Sequence, residues 1–320
     1  MYDFAYHRPK SVADAIALLK GKEEARPMSG GMTLIPTLKQ RLARPSDVVD
    51  LGDVKELAGI KVEGANVVIG GMTKHAEVAT SADVKSHIPA LAELAGHIGD
   101  PQVRNRGTMG GSVANNDPAA DYPAAVVALN ATVTTNTGKH AADGFFKGLF
   151  ETALGEGEIV TSISFPKAEK AAYMKFPNPA SRYAMVGVFV AKTASGVRVA
   201  VTGAGPCVFR VKAMEEALAK NFSSAAIKDI KVSATDLTSD ILGLAHFLGS
   251  PTLSHDHVGL GLVGRGEAFG DFLSPLVERF CDGGPHVFHR EPHQNRKNDR
   301  LQKQGCVDVH SLFPFKRESF

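Results

Sequence analysis

Cysteine is scarce in this chain of 320 residues, which contains only Cys207, Cys281 and Cys306. Three widely separated thiols are too few for a disulfide framework. They are also too few for an iron–sulfur cluster, which needs four closely organised thiolate ligands. The chain therefore carries neither a disulfide scaffold nor an iron–sulfur cluster of its own.

The chain also lacks a strong excess of charge and a long apolar run. Its formal net charge of +2 gives no general attraction to nucleic acid or to a membrane. No apolar run approaches the roughly 18 residues that a membrane span requires, and residues 1–7 lack the apolar core of a secretory signal. We therefore predict a cytoplasmic protein with no integral membrane span and no nucleic-acid partner. Its length and its 43% hydrophobic content suggest two or three globular domains.

Hydrophobic periodicity predicts a mixture of helices and strands over the first 241 residues. Ser11 is a good N-cap for a helix that places Val12, Ala15, Ile16 and Leu19 on one face. Further helices are predicted over 88–95, 123–129 and 210–219, and strands over 47–51, 67–71, 131–135, 183–191 and 197–201. This order predicts an α+β fold.

Two glycine-rich segments, about 75 residues apart, are the most informative feature present. Residues 28–36 read MSGGMTLIP, and residues 104–115 read RNRGTMGGSVAN. Paired glycines let a backbone approach a ligand closely, and successive free N–H groups form a concavity that suits an anion such as pyrophosphate. Neither segment fits the Walker phosphate loop or the dinucleotide turn G-x-G-x-x-G. Together they predict one long ligand held between two lobes.

The second segment continues as NDPAADYPAA over residues 116–125. The two motifs, in this order, resemble the FAD-binding medium subunit of the molybdenum hydroxylases, especially of the aerobic carbon monoxide dehydrogenase type. That family reads AGGxSLIP at the first segment and RNxGTxGGxxxxxDPAxD at the second. The resemblance covers roughly residues 1 to 241.

The resemblance implies a two-lobed FAD-binding domain of the PCMH type, followed by a smaller α+β domain and an atypical tail. We expect the first lobe over 1–56, the second over 57–166, the smaller domain over 167–241 and the tail over 242–320. The smaller domain is expected to be incomplete, because the helix that should follow residues 237–241 is missing.

The resemblance also implies which residues contact FAD. In the first segment these are Met28, Ser29, Gly30, Gly31, Met32, Thr33 and Leu34, with the backbone of residues 29–33 around the pyrophosphate. In and near the second they are Val103, Thr108, Gly110, Gly111, Ser112 and Asp121. The Thr108 and Ser112 hydroxyls can donate to phosphate, and Asp121 can accept from ribose hydroxyls. Further along, Val160 is expected beside the adenine, while Lys175 and Tyr183 are expected near the flavin, where Tyr183 could gate the electron acceptor.

Each of these assignments has a plainer alternative. The glycine segments could be ordinary turns, and Asp117 could cap the helix that follows it. Residues 158–163 could form a plain core strand, a role compatible with adenine contact. Lys175 could be a solvated surface charge and Tyr183 a strand aromatic in the core.

No catalytic residue and no metal ligand is predicted. His75, in the sequence KHAE at 74–77, offers a possible base, but a lone histidine is more often structural. No Ser-His-Asp or Cys-His arrangement stands out.

The region after residue 241 differs in composition, since it holds seven of the twelve histidines. We interpret it as the product of a reading-frame change or gene-end rearrangement near residue 242; a lineage-specific extension is the alternative. Two patterns there are interpreted as chance matches. One is GLGLVG at 259–264, and the other is the histidine series at 286, 289 and 293, which Pro292 interrupts.

As a family member, the chain is expected to carry FAD within a heterotrimer that dimerises. An iron–sulfur small subunit would hold two [2Fe–2S] clusters and a large subunit the molybdenum cofactor, and FAD would pass electrons to an external acceptor. The alternatives are a stand-alone FAD oxidoreductase of the same fold and a non-functional remnant with an altered C-terminus. Carbon monoxide, a nicotinate-like heterocycle or an aldehyde could be the substrate. Quinone, NAD or oxygen could be the acceptor.

Overall fold

The computed structural model describes residues 1–22, 24–227, 230 and 232, and these residues form fourteen strands and nine α-helices. None of the helices within this described part has the length and apolar character that a membrane crossing requires. The predictions for the tail, including the glycine and histidine patterns, lie outside the described residues.

The first 50 residues build a small parallel sheet. Its strands are β1 (Ala5–His7), β2 (Arg26–Met28) and β3 (Asp47–Asp50), with β3 in the centre. Helix α1 (Val12–Leu19) begins as predicted, because the Ser11 side chain accepts a hydrogen bond from the Asp14 N–H at 3.1 Å. Helix α2 (Leu34–Lys39) follows the first glycine pair.

A five-stranded antiparallel sheet forms the second layer, in the order β4-β5-β10-β6-β7. The strands of this part of the chain are β4 (Ile60–Glu63), β5 (Asn66–Gly70), β6 (Thr132–Thr135), β7 (Lys139–Ala141), β8 (Phe146–Gly148), β9 (Glu151–Thr152) and β10 (Val160–Pro166). The helices are α3 (His75–Thr80), α4 (Ala82–His87), α5 (Pro89–Gly96), α6 (Pro101–Arg104), α7 (Met109–Asn115) and α8 (Tyr122–Ala128). Among the described strands, β8 and β9 pair only with each other.

The third sheet is antiparallel and packs between two sets of helices. It consists of β11 (Lys170–Pro177), β12 (Ala184–Thr193), β13 (Gly196–Thr202) and β14 (Phe209–Arg210), and α9 (Lys212–Lys220) follows. Successive strand residues point to opposite faces. Tyr173 and Phe189 therefore join the core of the second layer, while Val188 and Val190 join a separate core with α9.

The strands of each main sheet lie inside one of the three predicted divisions 1–56, 57–166 and 167–241. All described residues nevertheless belong to a single compact unit. The division into separate domains therefore stays a prediction.

Candidate functional site

One cavity of about 520 Å³ brings the two glycine-rich segments together. Fifteen of the sixteen residues predicted to contact FAD line it, and Lys175 does not. The lining set is Met28, Ser29, Gly30, Gly31, Met32, Thr33, Leu34, Val103, Thr108, Gly110, Gly111, Ser112, Asp121, Val160 and Tyr183. The volume of this cavity lies within the range of small-molecule and cofactor sites. That these residues contact FAD stays a prediction.

The first glycine-rich segment leaves a row of backbone donors free. No described residue accepts a hydrogen bond from the N–H groups of Ser29, Gly30, Gly31, Met32 or Thr33. Gly31 has a φ of 73°, a left-handed conformation that glycine adopts without strain. Five successive unused donors beside a cavity suit the oxygens of an anion such as phosphate.

The second glycine-rich segment is different, because it is largely helical. Gly110 and Gly111 lie in the first turn of α7, and Thr108 is its N-cap. The N–H groups of Met109, Gly110 and Ser112 donate to the carbonyls of Thr73, Gly71 and Thr108 at 2.8–3.1 Å. The expectation that both segments offer successive free N–H groups is therefore wrong for the second one.

Two hydroxyl groups of this second segment line the cavity with unequal freedom. Thr108 Oγ1 accepts from the Gly111 N–H at 3.2 Å and donates to Ser29 Oγ at 3.0 Å, which joins the two segments. The Thr108 proton is thus already used inside the protein. Ser112 Oγ has no partner among the described residues, so it is a free donor on this side of the cavity.

The glycines are closely packed against other parts of the protein. A Cβ on Gly110 would lie 2.7 Å from both the Cα and the carbonyl oxygen of Gly71. A Cβ on Gly30 would overlap the carbonyl group of Arg106, and one on Gly111 would lie 2.7 Å from Ser29 Oγ. Since these neighbours belong to the protein, the glycines are needed first to bring the segments together around the cavity.

Asp121 lies in the cavity wall but is engaged by protein donors. Its Oδ1 accepts from the Tyr173 hydroxyl at 2.5 Å, and the Lys175 ammonium lies 2.9 Å from Oδ1 and 3.0 Å from Oδ2. Burial raises the pKa of Asp121, against the opposing effect of Lys175 and Tyr173. The alternative that Lys175 is a solvated charge is wrong, because its side chain is only 4% exposed. Contact of Asp121 with a ribose stays a prediction, and these donors already occupy part of its capacity.

Residues at the end of the third sheet form hydrogen bonds with segment 117–121, part of which lines the cavity. Thr202 Oγ1 lies within hydrogen-bond distance of both the Pro118 and Ala120 carbonyl oxygens, at 3.1 and 2.6 Å, and the Gly203 N–H donates to Pro118 at 2.8 Å. Asp117 bonds the Ala119 N–H at 2.9 Å. The alternative that Asp117 caps the next helix is wrong, since Asp121 is the N-cap residue of α8 and no side chain caps that end.

Glu158 anchors the turn that leads into β10. Its Oε1 accepts from His140, Thr135 and Thr137, and its Oε2 accepts from the Gly155 N–H at 2.7 Å. Burial alone would raise the pKa of Glu158, but these hydrogen bonds together lower it to about 2. The next residues, Ile159 and Val160, are buried and line the cavity, so Val160 is both a core residue and a wall residue.

Tyr183 stands at an exposed part of the cavity wall. It directly precedes β12 and is 47% exposed, so the alternative that it is a core strand aromatic is wrong. Burial of its hydroxyl side, with Asp117 and Asp121 nearby, raises its pKa. A gating role for Tyr183 stays a prediction.

His75 is a wall residue to which the sequence analysis assigned no functional role. It begins α3, is 4% exposed and lines the cavity, and its Nδ1 is buried without a hydrogen-bond partner. The only sequence signal was the histidine itself, whose burial depends on residues some 30 positions later.

Known proteins are similar to this chain in sequence and in fold. Residues 2–168 match the family model described as the FAD binding domain in molybdopterin dehydrogenase. The carbon monoxide dehydrogenase medium chain of Hydrogenophaga pseudoflava is 36% identical over 261 residues, covering 76% of this chain and 91% of that relative. The glyceraldehyde dehydrogenase medium chain of Sulfolobus acidocaldarius is 35% identical over 246 residues, covering 72% and 88%.

The fold also matches a solved structure of carbon monoxide dehydrogenase from Hydrogenophaga pseudoflava. The TM-score is 0.70 at 33% sequence identity, and the match covers 88% of this chain and 96% of the chain in that structure.

Proposed function

This chain belongs to the FAD-binding medium subunits of the molybdenum hydroxylases, and from that premise we propose that it passes electrons from iron–sulfur clusters on a partner to an external acceptor. The isoalloxazine of FAD supplies the redox chemistry when bound. The residues of this chain bind the cofactor, orient it and control access to it.

The observation that carries the proposal is the row of five free N–H groups at Ser29–Thr33 beside the cavity. The pyrophosphate of FAD presents anionic oxygens that such a row can hold. Ser112 Oγ faces the same cavity from the second segment and adds a side-chain donor. The donor set therefore fits the cofactor that the family binds.

The remaining wall residues suit the two ends of FAD. Ile159 and Val160 present an apolar surface at the start of β10, which suits the adenine. Tyr183 offers a half-exposed ring that can lie against the isoalloxazine and regulate the approach of the acceptor. Asp121 lies in the wall, and Lys175, paired with it, does not line the cavity; the pair would act on the flavin through its charges.

A divided complex accounts for the electron source. Three scattered cysteines cannot hold a [2Fe–2S] cluster, so the clusters belong to a small subunit and the molybdenum cofactor to a large one. Relatives named for carbon monoxide and for glyceraldehyde are almost equally similar to this chain. The large subunit, rather than this chain, would therefore choose the substrate.

The test is the flavin content of the full chain, purified with its co-expressed partner subunits. Heat release followed by chromatography should identify FAD in near-stoichiometric amount, and reduction of the clusters should bleach its absorbance. An assembled complex that contains iron and molybdenum but no flavin on this chain would contradict the proposal.

A further inference from the structure

His75 lies in the cavity wall, close to Gly107. Its ring is tilted against Tyr122, with ring centroids 5.3 Å apart. Gly107 is close to both this ring and the first segment: a Cβ on Gly30 would lie 2.8 Å from Gly107 Cα, and a Cβ on Gly107 would lie 2.5 Å from His75 Nε2. The imidazole and the residues with free N–H groups thus line the same cavity and both approach Gly107.

The two ring nitrogens of His75 differ in their surroundings. Nδ1 is fully enclosed and has no hydrogen-bond partner. Nε2 is on the side of Gly107, which itself lines the cavity, and no described residue forms a hydrogen bond with it. Only Nε2 is thus placed to meet a molecule that occupies the cavity.

The protonation of the ring follows from its burial. Burial, assisted by the nearby Arg104 guanidinium, lowers the pKa of His75 to about 4, so the ring is neutral at pH 7 and carries one proton. A proton on the enclosed Nδ1 would be a buried donor without an acceptor, which is rare and costly. The proton therefore belongs on Nε2.

We propose that His75 is a further FAD-binding residue, whose Nε2–H donates a hydrogen bond to the pyrophosphate held by Ser29–Thr33. This inference rests on the proposed function, since it assumes that FAD occupies the cavity. It adds a side-chain donor on the α3 side of the cavity. This role differs from the purely structural one that the sequence analysis favoured for a lone histidine.

Three substitutions at His75 test this assignment. The amide nitrogen of glutamine reaches about as far from the backbone as Nε2, whereas that of asparagine reaches only as far as Nδ1. His75→Gln, His75→Asn and His75→Phe should be compared with the unchanged protein, as the full chain alone or, if that retains no flavin, with its partner subunits. The FAD dissociation constant is measured by flavin fluorescence, and the unfolding midpoint is measured without FAD.

We expect His75→Gln to stay near the unchanged affinity, while His75→Asn and His75→Phe weaken FAD binding by about tenfold or more, as for a lost hydrogen bond to a charged group. If all three variants bind FAD as the unchanged protein does, or if asparagine preserves affinity better than glutamine, the inference is overturned. The unchanged protein tests the proposed function separately, because failure of FAD to bind there would appear before any variant is compared. Should His75→Phe fold poorly, the glutamine and asparagine pair decides.

Discussion

The two glycine-rich segments have similar sequences but different structural tasks. The first leaves the N–H groups of Ser29–Thr33 without protein acceptors. In the second, hydrogen bonds within the protein use the N–H groups of Met109, Gly110, Gly111 and Ser112. A glycine pair in a sequence therefore does not reveal whether the backbone is offered to a ligand. In this chain one pair supplies the donors, and the other supplies the close packing that holds those donors in place.

The largest effect is expected for Gly110→Val, which attacks the packing role. The new side chain would collide with the backbone of Gly71, which cannot move as a flexible side chain can. We expect a loss of at least about 3 kcal/mol in the free energy of unfolding, or failure to fold. Urea unfolding measures it, and Gly138→Val is the control because nothing lies within 4 Å of a Cβ there. Equal stability of the two variants would remove the packing role.

Gly31→Ala tests whether the free N–H groups of Ser29–Thr33 bind the cofactor. A side chain at a φ of 73° costs about 1–2 kcal/mol, and its Cβ would lie 2.6 Å from Ile35 Cδ1, so the row of N–H groups should be displaced. Gly64→Ala is the matched control, since it has a φ of 58° and open space around it. Both variants should lose similar stability, but only Gly31→Ala should lose FAD affinity in a fluorescence titration. Equal FAD affinity in both would contradict the donor role.

Thr202→Val tests whether the third sheet fixes the position of residues 117–121, which follow the second glycine-rich segment. Valine keeps the shape but removes the hydroxyl that bonds the carbonyls of residues 118 and 120. We expect a loss of about 1–2 kcal/mol in unfolding free energy and weaker FAD binding. The control, Thr193→Val, removes a hydroxyl that bonds only within its own turn. It should cost stability without a change in FAD affinity.

The smallest effect concerns the one side-chain hydrogen bond between the two segments. Ser29→Ala leaves the buried Thr108 hydroxyl without its acceptor and should cost about 1 kcal/mol. Ser112→Ala removes a hydroxyl with no protein partner, so it should leave the stability unchanged and lower only the FAD affinity. Thermal unfolding with and without FAD separates these results, and a stability loss in Ser112→Ala would show an unrecognised role in the packing.

Much of the fold could be predicted from local patterns. The capped helix after Ser11 and the buried strand around Val67–Gly70 are present, because their apolar residues recur at helical and strand periods. Helices α2 and α7 were not predicted, since Pro36 and the pair Gly110–Gly111 disfavour helix on propensity alone. Tertiary hydrogen bonds and packing override that preference there.

The candidate site could be located from the sequence, but the contacts and hydrogen-bond partners of its residues could not be predicted. Motif resemblance identified fifteen residues that do line one cavity. The partners that decide their roles are distant in sequence: Gly71 for Gly110, and Lys175 for Asp121. His75 was passed over for the same reason, because only the fold shows that one of its nitrogens is enclosed and the other faces the cavity wall at Gly107.

The bonds from Thr202 and Gly203 to the segment 117–121 also set an order of events on the ribosome. Both glycine-rich segments emerge early, but this part of the wall can be fixed only after about 80 further residues have been made, which takes roughly 4–16 s at about 5–20 residues per second. During that interval the nascent chain has the N–H groups of Ser29–Thr33 without the hydrogen bonds that fix this part of the wall. A ribosome stalled before residue 202 would therefore carry a chain whose segment 117–121 lacks these three hydrogen bonds.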